Sequence, residues 1–335
     1  MRNLILKEGY VSKLNLLDTE IAIKLIKDYF ERSLADALNL TRVSAPLFVL
    51  PKSGLNDDLN GYERAVKFDV LDLHEDVEIV QSLAKWKRNA LSKYKFNDNT
   101  GLYTDMNAIR RDEELDTFHS VYVDQWDWEL IIKSENRNFD FLKDVVRRIY
   151  KVMKDTDKLV SQTYPQIKEK LPEDIYFISS EELLKKYPDK TGKERENLIC
   201  KEHKAVFIYQ IGWPLSNGAP HDGRACDYDD WNLNGDILVW YDFLNVALEL
   251  SSMGIRVNGE SLKLQSAHKN ETHKLVTPYA KAVLEDKLPL TIGGGIGQSR
   301  LCMFFLEKAH IGEVQASVWS KEDIEKLEEL NIHLL

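Results

Sequence analysis

The sequence predicts an α+β fold in which helices flank a largely antiparallel sheet. Two pairs of alternating segments, 101–110 with 119–128 and 235–240 with 247–257, are each separated by a short turn, as antiparallel strands are. Two long stretches, 17–40 and 138–164, instead carry apolar residues at spacings of three and four, which indicates amphipathic helices. No repeat or low-complexity linker interrupts the chain, so residues 1–335 are expected to form a single domain.

Composition narrows the classes of function. The formal net charge of -10 argues against a nucleic-acid or anionic-membrane surface, since both partners favour a basic field. The chain has three cysteines, an odd number at wide spacing, which fits a reducing compartment better than a disulfide framework. No signal-like apolar core follows Met1, and no uncharged apolar run reaches the roughly 18 residues of a membrane span. We therefore expect a soluble cytoplasmic protein with neither a nucleic-acid nor a membrane partner.

The first elements in chain order carry several specific expectations. Asp18 or Thr19 can cap the helix over 17–40. The next segment, 41–50, has a strand-like composition but contains Pro46, which lacks a ladder donor. This pattern indicates an edge strand or a strand at a subunit contact. The elements predicted next are a polar loop over 52–61, strands over 64–70 and 76–80, and a helix over 81–94.

The helix over 81–94 begins with a polar and basic stretch. Ser82 fits an N-cap position. Lys85, Lys87 and Arg88 are then most simply an exposed helix face, which is the usual position of such a cluster.

The strand over 119–128 has the pattern of a functional element. Its alternation divides it into one face with Trp126 and Trp128 and an opposite face with Gln125 and Asp127. Polar groups within such an aromatic strand must find partners or lose several kcal/mol. We interpret this strand as part of a site.

The middle of the chain is interpreted as scaffold up to a polar loop. The predicted scaffold comprises strands over 175–179 and 205–211 and helices over 180–187 and 194–203. The loop over 221–230 then concentrates ligand-type side chains, including His221 and Cys226. It lacks a CxxC pair and a second histidine at ligand spacing, so an active-site loop is favoured over a zinc site.

Each of the two strands over 235–240 and 247–257 carries one acid in an otherwise apolar segment, Asp236 and Glu249. Two carboxylates on neighbouring strands suit a hard cation such as Mg²⁺, which also takes phosphate oxygens. The alternative is a salt bridge to Arg256. A helix over 271–286, a strand over 288–292 and an amphipathic tail complete the chain.

The segment over 291–300 has four glycines within five positions, followed by an apolar run. Glycine admits backbone angles and close approaches that other residues do not. The segment is predicted to be a strand, a glycine turn and a buried helix that carries Arg300 on its first turn, where guanidinium can stack on a ring or bind a phosphate. The spacing matches neither the P-loop nor the dinucleotide fingerprint, and a plain tight turn is the alternative.

Taken together, these motifs resemble a known catalytic fold. Pro46 after a long helix, Arg-Arg-Asp-Glu over 110–113 and the glycine segment over 293–300 resemble the three motifs of class II aminoacyl-tRNA synthetases. The closer resemblance is to the aspartate–ammonia ligases of the asparagine synthetase A type, and it covers essentially the whole chain. The segments that carry it are 82–88, 119–128, 227–231, 233–240 and 249–257.

The resemblance implies a ligase that makes L-asparagine from L-aspartate, ammonia and ATP through a β-aspartyl-AMP intermediate, with Mg²⁺ and as a homodimer. It implies that Arg110 binds the α-phosphate, that Arg300 stacks on adenine or binds the γ-phosphate, and that Asp236 and Glu249 hold Mg²⁺. The ATP-binding backbone would be Gly293, Gly294 and Gly295. Aspartate would be bound through its carboxylate by Lys87 and Arg256, through its ammonium by Asp57, Asp127 and Asp229, and through hydrogen bonds by Ser82, Gln125 and Ser252.

Two other functions compete with this interpretation. The first is an adenylating transferase acting on tRNA or a protein lysine, which would need a basic acceptor surface that the composition does not indicate. The second is a catalytically silent paralogue, against which the retained acids and arginines speak. Residue 2 is Arg2 and not cysteine, which argues against a glutamine amidotransferase.

Overall fold

A computed structural model describes residues 4–5, 7–57, 59 and 63–335, and it has the predicted α+β architecture. In this part of the chain the helices are α1 (Leu16–Leu38), α2 (Ala84–Lys93), α3 (Phe139–Thr163), α4 (Ser180–Lys186), α5 (Gly192–His203), α6 (Gly259–His268), α7 (Pro278–Leu284), α8 (Gln298–Phe305) and α9 (Lys321–Glu329). The strands are β1 (Leu40–Arg42), β2 (Phe48–Val49), β3 (Lys67–Val70), β4 (Glu75–Ile79), β5 (Gly101–Ile109), β6 (Tyr122–Ile131), β7 (Tyr176–Ser179), β8 (Ala205–Tyr209), β9 (Asp229–Tyr241), β10 (Val246–Arg256) and β11 (Thr291–Gly297).

The strands form one large and one small sheet. The large sheet has eight strands in the order β1-β5-β6-β11-β10-β9-β8-β7. Its β1–β5 and β7–β8 pairs are parallel and the others antiparallel. The small sheet has the order β2-β4-β3 and is antiparallel. Consequently β6, β11 and β10 lie side by side at the centre of the large sheet, where they can share one site.

Helices α1 and α3 pack against each other and contribute to the main core, which also contains Trp126 and Trp128 of β6. Phe30 of α1 stacks on Trp126 with the ring centroids 4.7 Å apart. The two tryptophans are fully buried. This arrangement confirms the predicted alternation of β6 at Trp126 and Trp128 and leaves Gln125 and Asp127 on the opposite face. None of the helices in the described residues is both long and apolar enough to cross a membrane.

The helix and strand boundaries correct several details of the sequence analysis. Asn15, not Asp18 or Thr19, caps α1, because its side chain accepts a hydrogen bond from the Asp18 amide. The segment over 41–50 is not one strand: β1 and β2 each lie at the edge of a sheet, and Pro46 lies between them. Of the predicted loop over 52–61, residues 58, 60 and 61 lie outside the described residues.

The C-terminal half differs in two places. The predicted helix over 271–286 is a 3-10 turn (Thr272–Val276) followed by α7, because Pro278 forces the preceding Thr277 into an extended conformation and then starts a new helix. Helix α6 was missed altogether. Its buried residues are mostly polar, so the chain there lacks an apolar stripe.

Candidate active site

The polar face of β6 forms the floor of a cavity of about 190 Å³. Gln125 and Asp127 line it, and the buried Glu129 follows two residues further along the same face. The sequence analysis identified the first two of these residues but missed Glu129. The alternation that selects Gln125 and Asp127 extends to residue 129, so the signal was present.

Helix α2 contributes buried rather than exposed cations, so the prediction of an exposed basic face is wrong. The Lys87 ammonium, fully buried, donates to the Asp127 carboxylate, to the Trp128 carbonyl at 2.9 Å and to the Gly294 carbonyl at 3.1 Å. These contacts use all three of its donors. Burial lowers the pKa of Lys87 despite the neighbouring Asp127. Lys87 thus ties α2, β6 and β11 together directly beneath the cavity.

Arg88 and Lys85 are also buried, and each has partners distant in sequence. Arg88 donates to the carbonyls of Pro289 and Val257 at 2.8 and 2.7 Å. Lys85 lies 2.9 Å from the Asp227 carboxylate. The helix therefore turns its basic residues inward because acceptors from the C-terminal half of the chain surround it.

Arg256, at the end of β10, joins two buried acids. Its guanidinium donates to Glu129 through Nε and Nη2, the latter at 2.7 Å, and to Asp229 through Nη1. Burial alone would raise the pKa of Glu129, but Arg256, with Lys87 and Thr291, offsets burial and lowers it. For Asp229 burial prevails over Arg256, and its pKa is raised. The charged form of Glu129 is therefore favoured beside Arg256, whereas the charged form of Asp229 is not.

The glycine segment is a strand and not a turn, which corrects the prediction. Its residues pair with β10 and β6, and α8 begins directly after it. A Cβ at Gly293 would overlap Glu129 Oε2, one at Gly294 would lie 2.6 Å from the Ser252 carbonyl oxygen, and one at Gly295 would overlap Gln125 Oε1. The glycines are needed for close approach, since each lies against a polar atom of a neighbouring strand.

Asp57 and Ser82 close the cavity on the side of the small sheet. Asp57 is 3% exposed, and its Oδ1 accepts a hydrogen bond from the Leu59 amide at 3.0 Å. Gln81 Nε2 donates to the Asp57 carbonyl at 2.8 Å. Leu83, not Ser82, is the N-cap of α2, although Ser82 Oγ still accepts from the Ala84 amide at 3.2 Å. Both side chains line the cavity with Lys87 and Arg256.

Two arginines line the shallower part of the same cavity, as expected from the sequence. Arg110 retains 23% side-chain exposure and lies 3.9 Å from Glu113. Arg300, on the first turn of α8, donates to the Glu249 carbonyl at 3.3 Å. A second space of about 500 Å³ adjoins the first, and Arg110, Glu249 and Ser252 line both. The combined space has the buried Lys87 and Arg256 at its floor and the partly exposed Arg110 nearer to solvent.

Two predicted site residues do not line the first cavity. Gly293 lies beneath it, against Glu129. Asp236, on β9, is opposite Ser252 of β10 and pairs with Arg224 of the 221–230 loop. The alternative salt bridge from Asp236 or Glu249 to Arg256 is wrong, since Arg256 pairs with Glu129 and Asp229.

Asp236, with Glu249 nearby, has two properties that fit a ligand of a magnesium site. Asp236 Oδ1 is buried without a hydrogen-bond partner in the described part of the chain. Burial and, to a smaller extent, the nearby Glu249 charge raise the pKa of Asp236 to about 7 against the effect of Arg224. A buried carboxylate whose charged form is disfavoured, and which lies near a second carboxylate, is a typical ligand for a divalent cation. The sequence analysis missed Arg224 as the partner of Asp236.

The weaker zinc hypothesis for the 221–230 loop is wrong. His221 Nε2 lies 3.2 Å from Glu196, whereas Cys226 Sγ lies 3.2 Å from Glu271. The described residues contain no cluster of three or more histidine, cysteine or acidic side chains that would hold a metal. The loop instead supplies Arg224 and Tyr228 to the second space.

The sequence matches a family model described as aspartate-ammonia ligase over residues 17–331. An aspartate–ammonia ligase of Clostridium perfringens is 59% identical, with all of both chains covered. Another, of Fusobacterium nucleatum, is 58% identical and covers 98% of this chain and 100% of its own.

The fold is also that of two solved synthetase structures. Asparaginyl-tRNA synthetase from Pyrococcus horikoshii, complexed with asparaginyl-adenylate, matches with a TM-score of 0.65 at 15% identity over 90% of this chain and 70% of its own. Aspartyl tRNA synthetase from Entamoeba histolytica matches with a TM-score of 0.60 at 15% identity over 89% and 58%. These similarities establish the class II synthetase-like fold.

Proposed function

The chain belongs to the aspartate–ammonia ligase family, a family of ligases that form a carbon–nitrogen bond, and we propose that it makes L-asparagine through an enzyme-bound β-aspartyl adenylate. In this reaction ATP and L-aspartate give the adenylate and diphosphate, and ammonia then gives L-asparagine and AMP. The observation that carries the proposal is one cavity with a buried acid–base cluster at its floor and two partly exposed arginines, Arg110 and Arg300, in the same lining.

The floor suits aspartate, which carries two carboxylates and one ammonium. Three of the five guanidinium N–H groups of Arg256 bind Glu129 and Asp229, so two remain for a substrate carboxylate in the described structure. Asp57, Asp127 and Asp229 would hold the ammonium, and Ser82, Gln125 and Ser252 would orient the substrate by hydrogen bonds. We assign the α-carboxylate to Arg256, with Lys87 positioning Asp127 and supplying positive charge from below.

This orientation turns the β-carboxylate towards the shallower arginines. Arg110 would bind the α-phosphate, and Arg300 would stack on adenine or bind the γ-phosphate. The resemblance assigns Gly293, Gly294 and Gly295 to ATP binding; of these, Gly294 and Gly295 line the cavity and would let the nucleotide lie close to the sheet, whereas Gly293 lies beneath it against Glu129. The β-carboxylate oxygen then attacks the α-phosphorus and diphosphate leaves, while guanidinium groups stabilise the charge that grows on the α-phosphate. Alignment of two bound reactants can supply about 7–11 kcal/mol of the barrier.

Asp236, which pairs with Arg224 in this structure, and Glu249 would hold Mg²⁺. A divalent ion held there would supply positive charge that offsets the negative charge of the phosphate groups.

Asp57 is the proposed base for the nitrogen step. Ammonium has no lone pair, so it must lose a proton before nitrogen attacks the adenylate carbonyl. The Asp57 carboxylate takes that proton, the new C–N bond forms, and the bond from the acyl carbon to the phosphate oxygen breaks. AMP leaves with one original β-carboxylate oxygen, and a second nitrogen proton is released as the amide forms.

We also propose that the enzyme acts as a homodimer. Leu17 and Ile21 of α1 are 70% and 54% exposed, and Leu47 and Phe48, just after Pro46, are 48% and 44% exposed. Apolar side chains this exposed, on α1 and on the segment after Pro46, fit a protein–protein interface. Leu17→Lys should give monomers by size-exclusion chromatography with light scattering and lower activity together, whereas an active Leu17→Lys monomer would contradict a required dimer.

The experiment that tests the function uses L-aspartate labelled with ¹⁸O in the β-carboxylate. The purified protein receives Mg-ATP and either ammonium or glutamine, and the products are asparagine, AMP and diphosphate if the proposal holds. Ammonium alone should support the reaction, with one ¹⁸O transferred to AMP. ADP and phosphate as products, or unlabelled AMP, would exclude the β-aspartyl adenylate.

A further inference from the structure

A second polar cavity lies on the other side of Asp57. Its volume is about 440 Å³, and Gln81, Lys85 and Asp227 line it together with Ala65. Asp57 is the one side chain in the described residues that lines both this cavity and the first. We name it the rear cavity. Because Asp57 stands between them, a small molecule in the rear cavity would reach the proposed base without crossing the space assigned to aspartate and ATP.

The rear cavity has buried acceptors that lack donors. Gln81 Oε1 and Asp227 Oδ1 have no hydrogen-bond partner in the described part of the chain, and Gln81 is 1% exposed. Their other atoms are engaged, because Gln81 Nε2 donates to the Asp57 carbonyl and Asp227 Oδ2 accepts from Lys85. Buried acceptors are rarely left unpaired. Gln81 Oε1 and Asp227 Oδ1 are therefore suited to a small ligand that carries hydrogen-bond donors.

The charges of the rear cavity distinguish it from the first. Among described residues it is lined by equal numbers of acidic and basic side chains, and several are paired with each other: Lys85 with Asp227 at 2.9 Å and Lys67 with Glu78 at 2.9 Å. It offers no excess positive charge for ATP or for the carboxylates of aspartate. Ammonium carries only donors, and its size and charge fit a set of acceptor oxygens better than any other substrate of the reaction does.

We propose that the rear cavity is the ammonium-binding site and the route by which nitrogen reaches the adenylate. Ammonium is held by Gln81 Oε1 and the Asp227 carboxylate, transfers one proton to Asp57, and passes as ammonia to the acyl carbon. The C–N bond then forms as the acyl–oxygen bond to AMP breaks. This inference depends on the proposed adenylate route, and it adds a separate access path for the nitrogen substrate.

Reversible blocking tests the route within a single protein. Ala65 lines the rear cavity and is half-buried, and the three native cysteines are buried. Ala65→Cys can therefore be labelled selectively with benzyl methanethiosulfonate and restored with dithiothreitol. The matched control is Leu264→Cys, since Leu264 is 56% exposed and lines neither the rear cavity nor the first. Wild-type protein receives the same reagent.

Two rates are measured before labelling, after labelling and after reduction. The first is asparagine formation against ammonium concentration at saturating aspartate and ATP, and the second is aspartate-dependent exchange of diphosphate into ATP without ammonium. We expect the label at residue 65 to lower kcat/KM for ammonium about tenfold or more, to leave exchange within about twofold, and to be reversed by dithiothreitol. The control should change neither rate.

The possible outcomes distinguish a failure of the rear-cavity route from a failure of the proposed adenylate reaction. Unchanged ammonium kinetics in fully labelled Ala65→Cys would overturn the rear-cavity route while leaving the adenylate intact. Equal loss of exchange and synthesis would also overturn it, because the cavity would then serve adenylate formation. Absence of exchange in the wild-type protein would instead refute the adenylate route itself.

Discussion

The Gly293→Ala substitution tests whether the glycine strand exists to accommodate the buried charge cluster. A Cβ at this position would overlap Glu129 Oε2 and lie 2.6 Å from both Glu129 Cδ and Arg256 Nη2, where ordinary contacts are 3.4–4 Å. Glu129 is fully buried and accepts from Arg256 and, at 2.6 Å, from Thr291 Oγ1. The new methyl group must therefore displace one member of a buried ion pair.

The expected loss in the free energy of unfolding follows from the ion pair between Glu129 and Arg256 that such a displacement breaks. Loss of one partner of a buried ion pair costs about 3–5 kcal/mol, because the remaining charge is left uncompensated. Native stabilities are only about 5–15 kcal/mol, so the effect is large. We expect Gly293→Ala to lower the free energy of unfolding by about 3 kcal/mol or more. We also expect the KM for aspartate to rise, since Arg256 would lose its orientation.

Gly297→Ala is the matched control in the same strand. Gly297 has φ −66°, which alanine adopts freely, and the nearest atom to an added Cβ is Arg300 Cβ at 3.4 Å. Its free energy of unfolding should change by no more than about 1 kcal/mol. Urea titrations of both variants and the wild type give the comparison. If Gly293→Ala unfolds at the same urea concentration as Gly297→Ala, the glycine does not protect the Glu129–Arg256 pair.

Three further predictions address the remaining parts of the structure. Arg256→Lys should raise the KM for aspartate about tenfold or more in steady-state kinetics, because an ammonium cannot bridge two acids in the manner of a guanidinium; an unchanged KM would refute the assignment. Asp236→Asn should weaken binding of Mn²⁺ alone on the order of tenfold by electron paramagnetic resonance, and unchanged affinity would remove Asp236 from the metal site. Burial lowers the pKa of His310 from 6.5 to about 4. Between these pH values the folded state therefore binds fewer protons than the unfolded state. The free energy of unfolding is highest above pH 6.5 and falls as the pH drops below it. At pH 5 this loss is about 2 kcal/mol relative to pH 7.5, and urea titrations of His310→Gln should lack it.

The sequence was sufficient to predict the elements with strong periodicity. Helix α3 begins after the Asn138 cap where predicted, and the alternation of β6 correctly separated Trp126 and Trp128 from Gln125 and Asp127. These predictions depend on local spacing alone. The positions of Arg110 and Arg300 in one cavity followed from the motifs.

The failures at Lys87, at the glycine segment and at α6 share a cause, since each depends on partners distant in the chain. The basic pattern of α2 alone indicated an exposed Lys87, and only the family resemblance placed it in the site, because its acceptors come from β6 and β11. The glycines were expected in a turn, but their neighbours Glu129 and Gln125 belong to another strand. Helix α6 was missed because its buried Gln265 binds the carbonyls of Cys226 and Asp229 and not an apolar surface. Local propensity carries no information about such contacts.

The same distant contacts explain why the polar face of the sheet can be functional and stable at once. Glu129, Lys87 and Arg256 are each almost completely buried, and each would be costly alone. They are held in place because β6, β11 and β10 are neighbours, and glycine at 293 leaves the space in which Glu129 and Arg256 meet. Since two of the N–H groups of Arg256 remain after this pairing, the cluster that stabilises the sheet also supplies the donors that we assign to aspartate. A substitution that disrupts the pairing should therefore lower stability and aspartate affinity together, whereas Ala65→Cys in the rear cavity should lower neither.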